Sequence, residues 1–238
     1  MLKNGTNPLI IALDVNSVQD AMALVEKIGS AADFYKVGME LYAAAGIQFV
    51  SQLSSLGKQV FLDLKLYDIP ETVKRTTAQV SKVGVRFLTV HAVGQVMRAA
   101  REGSLGSGLE LLAVTVLTSM GQEDLEEQGY SCPVSELVQQ RARNAMVAGL
   151  AGVVSSPLEA SAMRRLIGPK AIIVTPGVRS PDRDKGDQRR VATPGEAVRN
   201  GADYVVMGRQ ITRAADPAAE VTRVLEEIAA SYEPRAAG

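Results

Sequence analysis

An acid and a base stand two residues apart in Phe61-Leu62-Asp63-Leu64-Lys65-Leu66-Tyr67-Asp68-Ile69-Pro70, with a second acid three residues beyond the lysine. Residues 60–66 have the character of a strand, whose side chains alternate with period 2. Phe61, Asp63 and Lys65 therefore share one face, and Leu62, Leu64 and Leu66 the other. Both faces begin apolar, as in a strand covered on both sides. Charges on a covered face are costly unless paired and hydrogen-bonded. A fixed ammonium beside a fixed carboxylate can steady a developing anion or deliver a proton. The competing reading is a solvated ion pair at a strand end, with Asp68 and Glu71 capping the helix that Ile69-Pro70-Glu71-Thr72 begins. This stretch alone leaves both readings open.

The elements that would position these groups recur along the chain. Short apolar runs fall at 9–13, 33–37, 59–64, 86–90, 110–117, 152–155, 171–174 and 204–207. Most are rich in Val, Ile and Leu, as parallel strands buried on both faces are. Amphipathic stretches at 18–28, 41–56, 70–83, 95–102, 134–148, 157–167, 194–200 and 216–231 alternate with them. Eight strands alternating with eight helices in 238 residues predict a single (β/α)8 TIM-barrel domain over 1–238. A doubly wound open sheet is the competitor, but the first strand-to-helix turn, Leu13-Asp14-Val15-Asn16-Ser17, has no glycine fingerprint. Two connections, 118–133 and 177–193, are long enough to suggest functional loops.

Barrel enzymes build their sites at the C-terminal strand ends, and polar residues collect there. Asp14 closes the first run, Lys36 lies near the end of the second, and Asp63 and Lys65 close the third. His91 closes the fourth, Thr118 and Ser119 follow the fifth, and Gly208-Arg209 follows the eighth. Each has a plainer reading: Asp14 as a helix cap, Lys36 as a snorkelling chain, Thr118 and Ser119 as a turn, Arg209 as a surface ion pair. His91, the only histidine, fits a structural role at least as well as a catalytic one and is left out of the catalytic set. The loop after the seventh run carries Arg179, Gln188, Arg189 and Arg190, and that after the eighth carries Gly208 and Arg209. Barrels commonly hold a phosphate between those two loops, so a phosphorylated small molecule is the expected substrate.

The totals narrow the partners. Twenty-six basic and 26 acidic side chains cancel, which gives no reason to expect a nucleic-acid or membrane-surface partner. Hydrophobic residues at 46% and charged residues at 22% place the chain among soluble globular proteins. The single cysteine, Cys132, cannot form an internal disulfide, and no Cys/His metal spacing occurs. The N-terminus lacks the apolar run of a signal peptide, and no stretch approaches the roughly 20 apolar residues of a membrane span. A cytoplasmic location is expected.

With these residues assembled, the chain resembles the orotidine 5′-monophosphate decarboxylase family. Asp63-Leu64-Lys65-Leu66-Tyr67-Asp68-Ile69-Pro70 is similar to that family's D-x-K-x-x-D-I-P signature. Ala12-Leu13-Asp14, Tyr35-Lys36-Val37-Gly38, Leu117-Thr118-Ser119, Thr175-Pro176-Gly177-Val178-Arg179, Gly186-Asp187-Gln188 and Met207-Gly208-Arg209 match further motifs in order. The resemblance implies decarboxylation of the nucleotide to UMP and CO2, with no metal or organic cofactor, at the last step of UMP synthesis. It implies that Lys65 protonates C6 of the pyrimidine and that Asp63 lies beside the substrate carboxylate. Lys36, Asp63, Lys65 and Asp68 would form an alternating charge array, with Asp68 entering the site of a neighbouring subunit in a homodimer. Asp14, Lys36 and Thr72 would hold the ribose with the partner's Asp68, and Ile69 would join the binding set. Thr118 would contact the base, with Ser119 beside it, and Arg179, Gln188, Gly208 and Arg209 would bind the 5′-phosphate region.

Three rivals share some of these features. A sugar-phosphate lyase or epimerase on the same fold would recruit a metal at the strand ends. A Schiff-base aldolase would need a neutral Lys65, which two nearby aspartates oppose. A noncatalytic barrel would bind UMP without consuming the nucleotide substrate.

Overall fold

Parallel strands in chain order are what the alternation of apolar runs and amphipathic stretches demands, and the computed structural model closes them into a barrel. It describes residues 7–180 and 192–231. The elements run β1 (Leu9–Ala12), α1 (Val18–Ile28), β2 (Phe34–Gly38), α2 (Met39–Ser55), β3 (Gln59–Leu66) and α3 (Pro70–Val80). There follow β4 (Phe87–His91), α4 (Gly94–Gly103), β5 (Glu110–Val114), α5 (Gln122–Glu127), α6 (Val134–Val147) and β6 (Gly152–Val154). The chain continues through α7 (Ala160–Ile167), β7 (Ile172–Thr175), α8 (Pro194–Arg199), β8 (Tyr204–Met207), α9 (Arg209–Thr212) and α10 (Pro217–Ala230). Each strand pairs in parallel with the next, and β8 returns to β1 through Ile10 opposite Val206.

Each strand is covered on both faces, which is why the runs are almost continuously apolar. Alternate residues point inward: Ile10, Phe34, Phe61, Phe87, Leu112, Val174 and Tyr204 fill the barrel. Their neighbours, among them Leu9, Ile11, Val37, Leu62 and Leu88, pack outward under the helices. Several helix starts follow from local chemistry. The Ser17 hydroxyl accepts from the Asp20 amide at 3.1 Å and the Asp216 carboxylate from the Ala219 amide at 3.0 Å. Pro70, Pro194 and Pro217 occupy first helical positions, where no amide is needed. Gly103 allows α4 to lie against α3, because a Cβ there would come 2.3 Å from the Lys74 carbonyl oxygen.

Three boundaries differ from the sequence pattern for physical reasons. The run at 110–117 leaves the sheet after Val114, and Val116 and Leu117 turn into the cavity described below. The connection after β5 contains α5, whose start is held by the Asp124 carboxylate accepting from the Gly121 amide at 2.6 Å. The stretch at 157–167 becomes helical only at Ala160, because residues 155–159 fold back on the Glu159 carboxylate. That carboxylate accepts from the Ser155 hydroxyl at 2.9 Å and the Ser156 amide at 3.1 Å.

Arg86 closes the N-terminal end of the barrel, opposite the site. Its guanidinium carbon lies 5.3, 4.9 and 5.3 Å from the ring centres of Phe34, Phe87 and Tyr204. It donates to the Tyr204 hydroxyl at 2.7 Å, to Glu110 at 3.3 Å and to the Gln59 side-chain oxygen. Burial pushes the Tyr204 phenol up, so that hydroxyl stays protonated at neutral pH. A half-desolvated cation over three rings is worth about 1–2 kcal/mol, and its lost hydrogen bonds cost a similar amount. Arg86→Ala is expected to cost about 2–4 kcal/mol, lowering Tm by about 5–10 °C in a domain of this size. Turnover at 25 °C should be nearly unchanged, and R86K, lacking the planar fork, should recover less than half the loss. An unshifted melting curve for R86A would refute the plug.

Candidate active site

The strand carrying Asp63 and Lys65 does not keep its alternation to the end. Leu62 pairs with Leu88 and Leu66 with Val90, so β3 spends Asp63-Leu64-Lys65 where β4 spends only Thr89. Such a bulge re-aims side chains. Here Lys65 takes φ +49°, the only left-handed conformation of a non-glycine residue among the described residues. Phe61, Asp63 and Lys65 do line one cavity, as the period-2 pattern predicts, but the bulge and not simple pleating brings the lysine there. The Lys65 ammonium donates to Asp63 Oδ2 at 2.8 Å. The other carboxylate oxygen, Oδ1, accepts from the Thr89 hydroxyl at 2.8 Å, and that hydroxyl accepts from the Lys65 amide at 2.9 Å.

A second ion pair spans the adjacent strand ends. The Lys36 ammonium, 12% exposed, donates to Asp14 at 2.9 Å. Gly38 leaves room for that reach, since a Cβ at this position would stand 3.1 Å from Lys36 Nζ. Gly38 is also the register partner of Asp63, so the two ion pairs occupy neighbouring positions on the barrel rim.

Both pairs face a cavity of about 570 Å³ at the C-terminal ends of the strands. Phe61, Val114, Val154 and Val206 form its apolar floor, and Thr118 and Ser119 stand on the side reached by the connection after β5. Arg179, Arg209 and Arg213 lie on the side of the loops after β7 and β8, with Gly208 between them and Asp14. The segments bearing Arg179 and Arg209 are tied together. The Gln210 side chain accepts from the Ser180 amide at 3.0 Å and donates to the Ser180 hydroxyl at 2.8 Å and to Glu220 at 2.9 Å.

Of the residues singled out from sequence, Asp14, Lys36, Asp63, Lys65, Thr118, Ser119, Arg179, Gly208 and Arg209 all line this cavity. Asp68, Ile69 and Thr72 do not; they are exposed where β3 passes into α3, and the Asp68 carboxylate accepts from the Ile69 amide at 2.6 Å. Gln188, with Arg189 and Arg190, lies outside the described residues. His91 stands beside the site, its ring 5.4 Å from that of Tyr67. Burial, then Arg141 and Lys65, hold its pKa below the usual 6.5, so it is neutral at pH 7. Among the described residues, no three His, Cys, Asp or Glu side chains are grouped to hold a metal ion. Also among them, no helix is long and apolar enough to cross a membrane.

Sequence reasoning missed Thr89, Glu40, Gln210 and Arg213. Glu40 looks like an ordinary acid in a helix's first turn, yet it lines the cavity beside Lys36. Arg213 carried a usable signal, since it stands four residues after Arg209 and so falls on the same helical face. Gln210 carried none beyond its place next to Arg209.

A closed parallel barrel with an acid–base pair and a cluster of arginines at its C-terminal rim is the architecture of a (β/α)8-barrel enzyme. The model of the Orotidine 5′-phosphate decarboxylase / HUMPS family matches residues 7–224. An orotidine 5′-phosphate decarboxylase of Bradyrhizobium sp. (strain ORS 278) is 51% identical over 93% of this chain and 91% of its own. One from Methylobacterium radiotolerans is 51% identical over 93% of this chain and 96% of its own. The crystal structure of orotidine 5′-phosphate decarboxylase from Lactobacillus acidophilus superimposes with a TM-score of 0.84 at 37% identity, covering 94% of this chain and 99% of that one. The chain belongs to the orotidine 5′-phosphate decarboxylase / HUMPS family. Its activity is that of an orotidine 5′-phosphate decarboxylase, the last step of pyrimidine biosynthesis.

Proposed function

We propose that the cavity decarboxylates orotidine 5′-monophosphate without metal or organic cofactor, and that Lys65 is the proton donor to C6. The observation that carries this reading is the Lys65–Asp63 pair, 2.8 Å apart and aimed into a cleft with an apolar floor. The C6–carboxylate bond breaks heterolytically, CO2 leaves, and the electron pair stays on C6 in the ring plane, poorly placed for delocalisation into the π system. The ammonium of Lys65 then gives its proton to C6, forming UMP, and the amine regains a proton from water. Asp63 holds the ammonium in place and crowds the substrate carboxylate. A cation about 4 Å from the developing anion contributes roughly 4 kcal/mol at an effective dielectric near 20. Enzymes typically supply ~8–23 kcal/mol, so positioning and water exclusion by the bound nucleotide must provide much of the remainder.

Asp14 and Lys36 suit the ribose hydroxyls as acceptor and donor, and Thr118 with Ser119 suits the polar edge of the base. Arg179 and Arg209 suit the 5′-phosphate, with the amides at Gly208 beside them and Gln188 assigned to the same group from sequence. Asp68 belongs to a partner's site in a homodimer, and Thr72, expected from sequence beside Asp14 and Lys36 on the ribose, is exposed outside their cavity and so goes with Asp68 and Ile69 to that site. The exposed Tyr67 and Ile69, 67% and 66% accessible and flanking Asp68, favour this, because apolar side chains bracketing an acid at a site's edge fit a surface covered by a second chain.

Purified, EDTA-treated protein is expected to convert orotidine 5′-monophosphate to UMP at the untreated rate, followed by the absorbance change of the nucleotide. Loss of turnover restored by a divalent cation would overturn the cofactor-free chemistry.

A further inference from the structure

We infer that Thr89 is a positioning residue for the proton donor: its one hydroxyl sets the geometry of the Asp63–Lys65 pair. The inference rests on the roles proposed above for those two residues. Thr89 is fully buried, on the inward face of β4 in alternation with Phe87. It is the single residue of β4 that stands opposite the three-residue bulge Asp63-Leu64-Lys65. At that point the regular strand-to-strand ladder is interrupted, and the Thr89 hydroxyl takes its place. A hydroxyl has one proton to donate and lone pairs to accept with. Thr89 uses both, donating to Asp63 Oδ1 at 2.8 Å and accepting from the Lys65 amide at 2.9 Å.

Those two contacts fix different things. The bond to Oδ1 orients the carboxylate so that Oδ2 faces the Lys65 ammonium at 2.8 Å. The bond from the Lys65 amide holds the backbone in its left-handed conformation at φ +49°, which costs an L-residue of order 1–3 kcal/mol unless the surroundings impose it. Without the hydroxyl, Lys65 can relax toward ordinary extended backbone, which would turn its side chain away from the cavity. Thr89 does not line the cavity and need not touch substrate. Its loss should therefore act on the chemical step and leave nucleotide binding intact.

The test is T89V, which keeps the β-branch and nearly the volume while removing the hydroxyl, compared with T89S, which keeps the hydroxyl. T89V is expected to lower kcat by about 10- to 100-fold, the scale of a 1 Å misplacement of a reacting group. KM for orotidine 5′-monophosphate and the affinity for UMP should change less than about threefold, since the cavity-lining contacts remain. T89S should return most of the lost kcat. If T89V does not fold, T89A carries the same comparison. A kcat for the hydroxyl-less variant within about twofold of the parent, no rescue by T89S, or equal losses in kcat and UMP affinity would each overturn the inference. K65A run alongside separates the two levels. An inactive K65A with a fully active T89V sinks only the role of Thr89, whereas turnover by K65A sinks the reading of the site and this inference with it.

Discussion

Replacing Lys65 by alanine is expected to lower kcat by at least about 10⁴-fold while UMP still binds. A positioned proton donor contributes about 10²–10⁴-fold, and a single preorganised electrostatic contact about 10²–10³-fold. In the proposed role Lys65 would supply both in one ammonium, and the two losses would not simply multiply, because the proton and the charge would act in the same step. UMP lacks the carboxylate that leaves, so its affinity depends on contacts to base, ribose and phosphate, none of which needs Lys65. The relevant geometry is the 2.8 Å pair with Asp63 at the wall of the cleft. K65A also leaves Asp63 without its cation while the Thr89 hydroxyl still donates to it, so the carboxylate stays in place without its counter-charge. Single-turnover measurements with saturating nucleotide, together with UMP titration, would check this. A kcat within about tenfold of the parent would mean that another group protonates C6, and the assignment would fall.

The barrel was legible because burial on both faces writes itself into sequence as short aliphatic runs, and β8 at 204–207 falls where its run does. Strand-end chemistry was legible for a related reason: a charge that interrupts an apolar run is conspicuous. Asp14, Lys36, Asp63 and Lys65 announced themselves this way at the ends of runs, Arg179 and Arg209 as basic residues of the loops after the seventh and eighth runs, and all face one cavity. Thr89 did not, because threonine is at home in strands and only the bulge in β3 gives its hydroxyl two partners. The bulge itself was invisible, since Leu62, Leu64 and Leu66 keep the pattern of a regular strand while three of its residues stand opposite one of β4. Glu40 and Gln210 were hidden for the opposite reason: polar residues near helix starts are too common to single out.

Mixing two inactive variants should restore activity if Asp68 serves a neighbouring subunit. Asp68 does not line the cavity of its own chain, although Lys65, three residues earlier, does. Between them the chain leaves β3, and Asp68 sits exposed with Tyr67 and Ile69 on either side. D68A and K65A are each expected to be nearly inactive as pure homodimers. In a hybrid, one site combines the alanine at 65 with the alanine at 68 and is doubly broken. The other site has Lys65 from the D68A chain and Asp68 from the K65A chain, and is intact. Random reassortment under two-fold symmetry makes about half the dimers hybrid, each with one working site, so about one quarter of parental activity should return. Hybrids purified through two different affinity tags should show about half of parental kcat per dimer, with an unchanged KM, because the surviving site contains every parental group. Purified hybrids with no recovery would place Asp68 and Lys65 in service of the same chain's site, and the homodimer reading of the site would fail. Recovery could come only from groups crossing between chains, since neither variant carries both residues.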